Sequence, residues 1–330
     1  MTTYGDELTD LAETESRPHS AMVLSARLRE HIESGVLGFP LSAFSADGSE
    51  LDLDGFTAHL RRHLDHGVGG LFVACGTGEF SALDLHEYRA LVRTAVEAVD
   101  GAVPVIAGAG YGWALAREFA VAAQEEGADG ILLLPHYLVE APQEGLVANV
   151  ERVAEATDLP IVLYQRSLVH YTTDSLTRLA GIPNVIGLKD GNSEFVGLQR
   201  MTLAVESDFL FFNGSLTAEI QYRPYASVGI PAYSSSVASC VPEVARAFFA
   251  AARDEDDETI DRLLREFYSP LVELRDRVPG YAVSLIKATA RLRGERVGAV
   301  RAPLAEPSAD DLVELERIMR HGLSIVGAEF

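Results

Sequence analysis

The chain has 330 residues, 48% of them hydrophobic, enough for one large core, and no Pro/Gly/Ser-rich linker or low-complexity tract divides it. Its 27 basic against 49 acidic residues leave a net charge of −22, a field that repels nucleic acid and anionic membranes and argues against both as partners. No apolar run approaches the ~18 residues that span a bilayer, no secretory-signal pattern is present, and Cys75 and Cys240 fit no metal or redox spacing, so a cytoplasmic, reducing setting is expected.

In chain order, residues 1–25 are polar and acidic and are expected to form a flexible arm. After them, Val-, Ile- and Leu-rich runs at 36–39, 70–74, 103–107, 130–134, 161–164, 185–189, 209–212 and 229–233 alternate with helical periodicity. The helical stretches are 54–66, 85–99, 114–126, 143–156, 173–180, 194–204 and 217–226, with Asp84 and Thr172 placed as N-caps. Runs that are apolar on successive residues are buried on both faces, as in a parallel sheet covered by helices. Eight such units predict an α/β protein, a (β/α)8 TIM barrel over 26–254. A doubly wound open sheet is the alternative, but its dinucleotide fingerprint is missing near the start. Periodicity at 259–276, 282–292 and 309–319 predicts a C-terminal helical appendage over 255–330. The acidic run Asp254 to Glu258 reads as a solvated loop at a helix start, not as a metal site.

In such a barrel the C-terminal strand ends build the site. The sixth run ends in Lys189, and the 27 basic residues less Lys189 and Lys287 are 25 arginines, so a chain that otherwise avoids lysine keeps one at a strand end. A desolvated lysine amine forms Schiff bases, which arginine does not; the alternative is a lysine snorkelling from the strand end. The second run ends in Cys75-Gly76-Thr77-Gly78-Glu79-Phe80, whose free amides and Thr77 hydroxyl suit a carboxylate, although Gly-rich turns before helices are common. Tyr137, Tyr164 and Tyr233 close other runs, and a tyrosine beside a lysine suits the proton transfers of imine chemistry. His59, His63 and His66 have chelating spacing, but on a helix outside the barrel they read as a partly exposed polar face, with no metal expected. Lys287 reads as an ion-pair or interface residue.

The ordered series Gly76-Thr77-Gly78-Glu79, Val105 to Gly110, Gly127-Ala128-Asp129-Gly130, Asp158 to Tyr164 and Ile186 to Asp190 resembles the dihydrodipicolinate synthase and N-acetylneuraminate lyase superfamily from about Gly35 to Pro242. The resemblance implies a lysine-dependent barrel acting on 2-oxo acids and assembled as a homo-oligomer, dimer or tetramer. It implies Lys189 as Schiff-base former, Tyr164 as proton shuttle, Gly76 and Thr77 as carboxylate holders, and Tyr137 as a tyrosine that reaches across a subunit contact. Gly76, Gln165, Arg166 and Ser167 depart from the synthase branch, and Val169 stands near the place of its aldehyde-binding arginine. By contrast, Gly76 to Phe80, Tyr164 with Arg166, Tyr233-Ser234-Ser235, Gly280 to Ala288 and Val300-Arg301 before Pro303-Leu304 resemble the 5-dehydro-4-deoxyglucarate dehydratase branch. Gln165 and Ser239 stand where that branch is expected to have asparagine.

That resemblance implies a lyase that dehydrates and decarboxylates 5-dehydro-4-deoxy-D-glucarate to 2,5-dioxopentanoate through an imine, with no metal or organic cofactor. The substrate is a sugar diacid, and Arg166, Ser234 and Ser235 with the strand-two amides are the candidate donors, Arg166 being equally open to an ion-pair reading. Two alternatives remain: a 2-oxo acid aldolase releasing pyruvate, and a non-catalytic barrel that binds keto acids.

Overall fold

The computed structural model describes residues 16–330. Its eight strands are β1 (Leu37–Gly38), β2 (Gly70–Val73), β3 (Val105–Ala109), β4 (Gly130–Leu133), β5 (Ile161–Gln165), β6 (Val185–Asp190), β7 (Leu210–Asn213) and β8 (Ser234–Ser235). All pair in parallel in the order β7-β6-β5-β4-β3-β2-β1-β8, and a parallel bridge between Asn213 and Tyr233 links the two ends. The ring is a (β/α)8 barrel, as the alternating runs predict.

Around it lie α2 (Leu53–Asp65), α3 (Leu85–Val99), α4 (Trp113–Glu125), α5 (Gln143–Ala154), α6 (Thr173–Ala180), α7 (Phe195–Ala204), α8 (Tyr222–Ser227) and α9 (Pro242–Arg253). Both expected caps form: Asp84 accepts from the Glu87 amide in a reciprocal capping box, and Thr172 accepts from the Ser175 amide. The apolar side of these helices packs on the outer face of the strands. Inside the ring, Phe39, Phe72, Ile106, Leu132, Val162 and Phe212 form a second core.

Three expectations change. Residues 1–15 of the expected arm lie outside the described residues, but 16–25 are helical, in α1 (Ser16–Ser34). Ala21, Leu24 and Leu28 of α1 join the inner core and plug the barrel's lower end. The last strand was expected at 229–233, but Gly229 (φ 86°) and Ile230 form the turn that ends α8, Pro231 offers no N–H, and pairing starts only at Tyr233. The histidine face of α2 is buried: His59 and His63 are both in the core, and the His59 Nε2 accepts the Leu41 amide N–H at 3.1 Å. Burial and neighbouring cations push His63 well below its ordinary range, and no metal-binding cluster occurs among the described residues.

The C-terminal part comprises α10 (Asp257–Leu263), a wider turn at 264–268, α11 (Ser269–Arg275), α12 (Tyr281–Leu292) and α13 (Ala309–Ile325). It folds back over the rim. Lys287 of α12 meets Glu79 of the strand-two loop at 2.7 Å, with both side chains buried. Arg301 binds Glu87 through two nitrogens and the Gly48 and Ala82 carbonyls, which holds Leu304 against the barrel mouth.

Candidate active site

Strand alternation decides which side chains enter the barrel. On β6, Lys189 points inward and Asp190 outward, and register pairs Lys189 with Tyr164 on β5 and Phe212 on β7. The Lys189 amine lies 3.7 Å from the centre of the Phe39 ring and 4.5 Å from that of Tyr164. It is 6% exposed and has no carboxylate partner among the described residues. Burial therefore disfavours its charge and holds it down at about 7, with Arg166 acting the same way and Cys75 against. The Cys75 thiol is itself pushed up to about 12 by burial and contributes little charge at neutral pH.

Glycine makes the space for this lysine. A Cβ on Gly214, just past β7, would lie 2.4 Å from Lys189 Cε and 2.5 Å from Cγ. The Gly214 carbonyl accepts the Tyr164 hydroxyl at 3.0 Å, so one turn clears the lysine and aims the tyrosine. Burial raises the Tyr164 hydroxyl, while Arg166, whose Nη1 donates to it at 3.3 Å, opposes that shift. Outside the ring, Asp190 accepts Gln165 Nε2, the Ser193 amide and the Tyr225 hydroxyl, which fixes the loop after β6.

Above Lys189 opens a cavity of about 320 Å³. Gly76, Thr77, Tyr164, Arg166, Lys189 and Ser234 all line it. Two expected members do not. Ser235 is fully buried beside it: its hydroxyl donates to Glu219 at 2.5 Å and accepts the Ala238 amide. Tyr137 is 65% exposed on the loop after β4, outside the cavity. Ser236 takes the rim position that Ser235 was expected to fill. The two departures from the dehydratase pattern also lie outside the cavity. Gln165 bridges Asp190 and the Tyr171 amide, and Ser239 donates to the Phe39 carbonyl at 2.7 Å, behind the ring that faces the lysine.

Sequence reasoning missed Phe39, Gly214, Thr217, Val283 and Leu304, which also line the cavity. Gly214 was findable, since a glycine directly after a β7-type run is a place where another chain segment comes close. Val283 and Leu304 lie in segments that carry the branch resemblance, but nothing local places them at the site, because they reach it through contacts across the whole sequence.

Eight parallel strands, a desolvated lysine without a counter-ion among the described residues and a tyrosine beside it define a lysine-bearing (β/α)8 barrel of the kind that handles small carbonyl acids. The dihydrodipicolinate synthetase family model matches residues 33–322, and the chain belongs to that family. A probable 5-dehydro-4-deoxyglucarate dehydratase 2 of Streptomyces avermitilis is 60% identical over 302 residues, covering 92% of this chain and 91% of that protein. Its counterpart in Streptomyces coelicolor is 58% identical, covering 92% and 94%. The dihydrodipicolinate synthase of Bacillus clausii superposes with a TM-score of 0.81 at 25% identity, covering 90% of this chain and 98% of that one.

Proposed function

We propose that the protein is a lyase that dehydrates and decarboxylates 5-dehydro-4-deoxy-D-glucarate to 2,5-dioxopentanoate, CO2 and water. The observation that carries it is Lys189, a buried amine at about 7 with no counter-ion among the described residues, beneath a cavity sized for a small acid. The names of the relatives at 60% and 58% identity support this substrate over pyruvate-releasing aldol cleavage.

The neutral Lys189 amine adds to the ketone, and loss of water gives an iminium. Tyr164, bonded to the Gly214 carbonyl and reinforced by Arg166, carries protons to and from the carbinolamine. The iminium acidifies the adjacent CH2. Loss of that proton and of the next hydroxyl extends conjugation towards the carbon bearing the far carboxylate. The C–C bond to that carboxylate then breaks, its electron pair flowing to the iminium nitrogen, and CO2 leaves. Protonation at carbon and hydrolysis release the product and free Lys189. The imine is the electron sink at every step, so the scheme calls for no metal or organic cofactor.

Gly76 and Thr77 hold the carboxylate next to the ketone, and Arg166, which has no carboxylate partner among the described residues, offsets the substrate's charge; Ser234 lines the cavity beside them but donates its hydroxyl to the Asn213 carbonyl. No described helix is long and apolar enough to cross a membrane. A cytoplasmic homo-oligomer, dimer or tetramer, is the fitting assembly: Tyr137, Leu138 and Val139 form an exposed apolar run, and Trp113 is also exposed. The test is borohydride reduction with the keto diacid, read by peptide mass, alongside assays of CO2 and semialdehyde. Mass added at Lys189 with CO2 release supports the reading. Release of pyruvate, or labelling at Lys287, overturns it.

A further inference from the structure

On the turn after β7 the cavity wall carries Thr217 with φ 53°. A β-branched residue is costly in this left-handed region, where glycine or asparagine sits more easily. Strain retained on a cavity wall points to a side chain that is needed there. Thr217 is 8% exposed, and its Oγ1 accepts Nη1 of Arg275 at 2.8 Å. Arg275, at the end of α11, has a largely buried side chain whose other edge lies against Asp276.

A hydroxyl oxygen that already accepts from a guanidinium is a stronger donor through its own proton. Thr217 makes no side-chain donation among the described residues, so that proton is available to the cavity. Two neighbouring hydroxyls are engaged, Ser215 with Ser193 and Tyr225, and Ser234 with the Asn213 carbonyl. Arg166 already leans on Tyr164. The β7 turn stands next to Lys189 on β6, while Gly76 and Thr77 follow β2, three positions from β7 by way of β8 and β1. A chain with one carboxylate at the β2 loop and its imine carbon at Lys189 leaves its far end to the wall where Thr217 stands.

We propose that Thr217, polarised by Arg275, holds the substrate's second carboxylate and so sets the preference for a diacid over a monocarboxylate 2-oxo acid. The inference rests on the dehydratase reading above. Anchoring that carboxylate also fixes its rotation relative to the conjugated system into which its bond breaks.

The experiment compares Thr217→Val, Thr217→Ser and Arg275→Met with the parent. Half-saturating concentrations for borohydride trapping are measured separately with the keto diacid and with pyruvate. Thr217→Val removes the hydroxyl and keeps the shape; it raises the diacid value by about tenfold or more and leaves the pyruvate value within about twofold. Thr217→Ser restores most of the loss, and Arg275→Met gives an intermediate rise for the diacid alone. A Thr217→Val protein whose diacid value stays within about twofold of the parent, or whose pyruvate value rises equally, overturns the proposal. Parent enzyme that is trapped with the diacid yet releases no CO2 overturns the dehydratase reading instead; trapping needs no turnover, so the Thr217 comparison still decides its own question.

Discussion

Lys189 keeps its amine against two aromatic faces and apart from every described carboxylate, so burial governs its protonation. An unfolded lysine titrates at its ordinary 10.5 and this one at about 7. Between those values the unfolded chain binds more protons than the folded one, so this residue makes stability rise with pH across that window. Below about 7 the full cost of burying the cation is present. At about 1.4 kcal/mol per pH unit, that cost is on the order of 5 kcal/mol at most. Lys189→Met should therefore be inactive yet more resistant to urea than the parent, by the widest margin at pH 6 and by little near pH 10. A margin independent of pH would mean that the amine is not desolvated in solution. The same free-base requirement makes the rate of imine trapping rise with pH through about 7. Gly214 is the steric counterpart. Gly214→Ala should fold but trap pyruvate at least about 100-fold more slowly, because its methyl takes the volume of the lysine's own methylenes; unchanged trapping would show that the turn relaxes at little cost. Of this pair the lysine was legible in the sequence, since its rarity marks it, whereas the glycine's purpose depends on a contact 25 residues away in the chain.

At the scale of elements, the carboxylate-holding loop after β2 is fastened to the C-terminal helices through Glu79. Its Oε1 meets Lys287 of α12 and its Oε2 accepts the Arg301 amide at 2.7 Å, so one buried carboxylate joins the loop to both segments that roof the cavity. Burial lowers Lys287 to about 8 while Glu79 pulls the other way, so the pair and not the lysine alone sets its charge. Breaking such a pair leaves an uncompensated buried charge, typically costing about 3–5 kcal/mol. Lys287→Met should lose stability of that order in urea unfolding, and adding Glu79→Gln should recover a large part of it. If the double variant is no better than the single one, the two side chains do not act as a pair. The strands and most barrel helices could be read from periodicity, because burial on both faces leaves an unbroken apolar signature. Helix α1 could not: its residues are largely polar and, among its described side chains, Ala21, Leu24 and Leu28 are those that join the inner core. The roof was legible as helices but not as part of the site. Nothing local in Tyr281 to Leu292 states that this helix meets a loop more than 200 residues earlier.

For the whole molecule, a net charge of −22 opposes the approach of a dianionic substrate, while the cavity offers Arg166 and, behind Thr217, Arg275. The two act over different distances. The net field extends outward and is screened once the Debye length falls to about 8–10 Å, whereas the arginines act at contact, where salt penetrates less. Raising ionic strength from low to physiological should therefore weaken the repulsion more than the grip. The expected result is a rise of about two- to fivefold in kcat/KM for the diacid between 10 and 150 mM salt, with kcat unchanged. The repulsion scales with ligand charge, so the monoanion pyruvate should show roughly half that dependence on a logarithmic scale when its trapping is followed over the same range. A fall in kcat/KM with salt would mean instead that the cavity's cations dominate the approach as well as the binding, and that the acidic surface lies too far from the barrel mouth to be felt there.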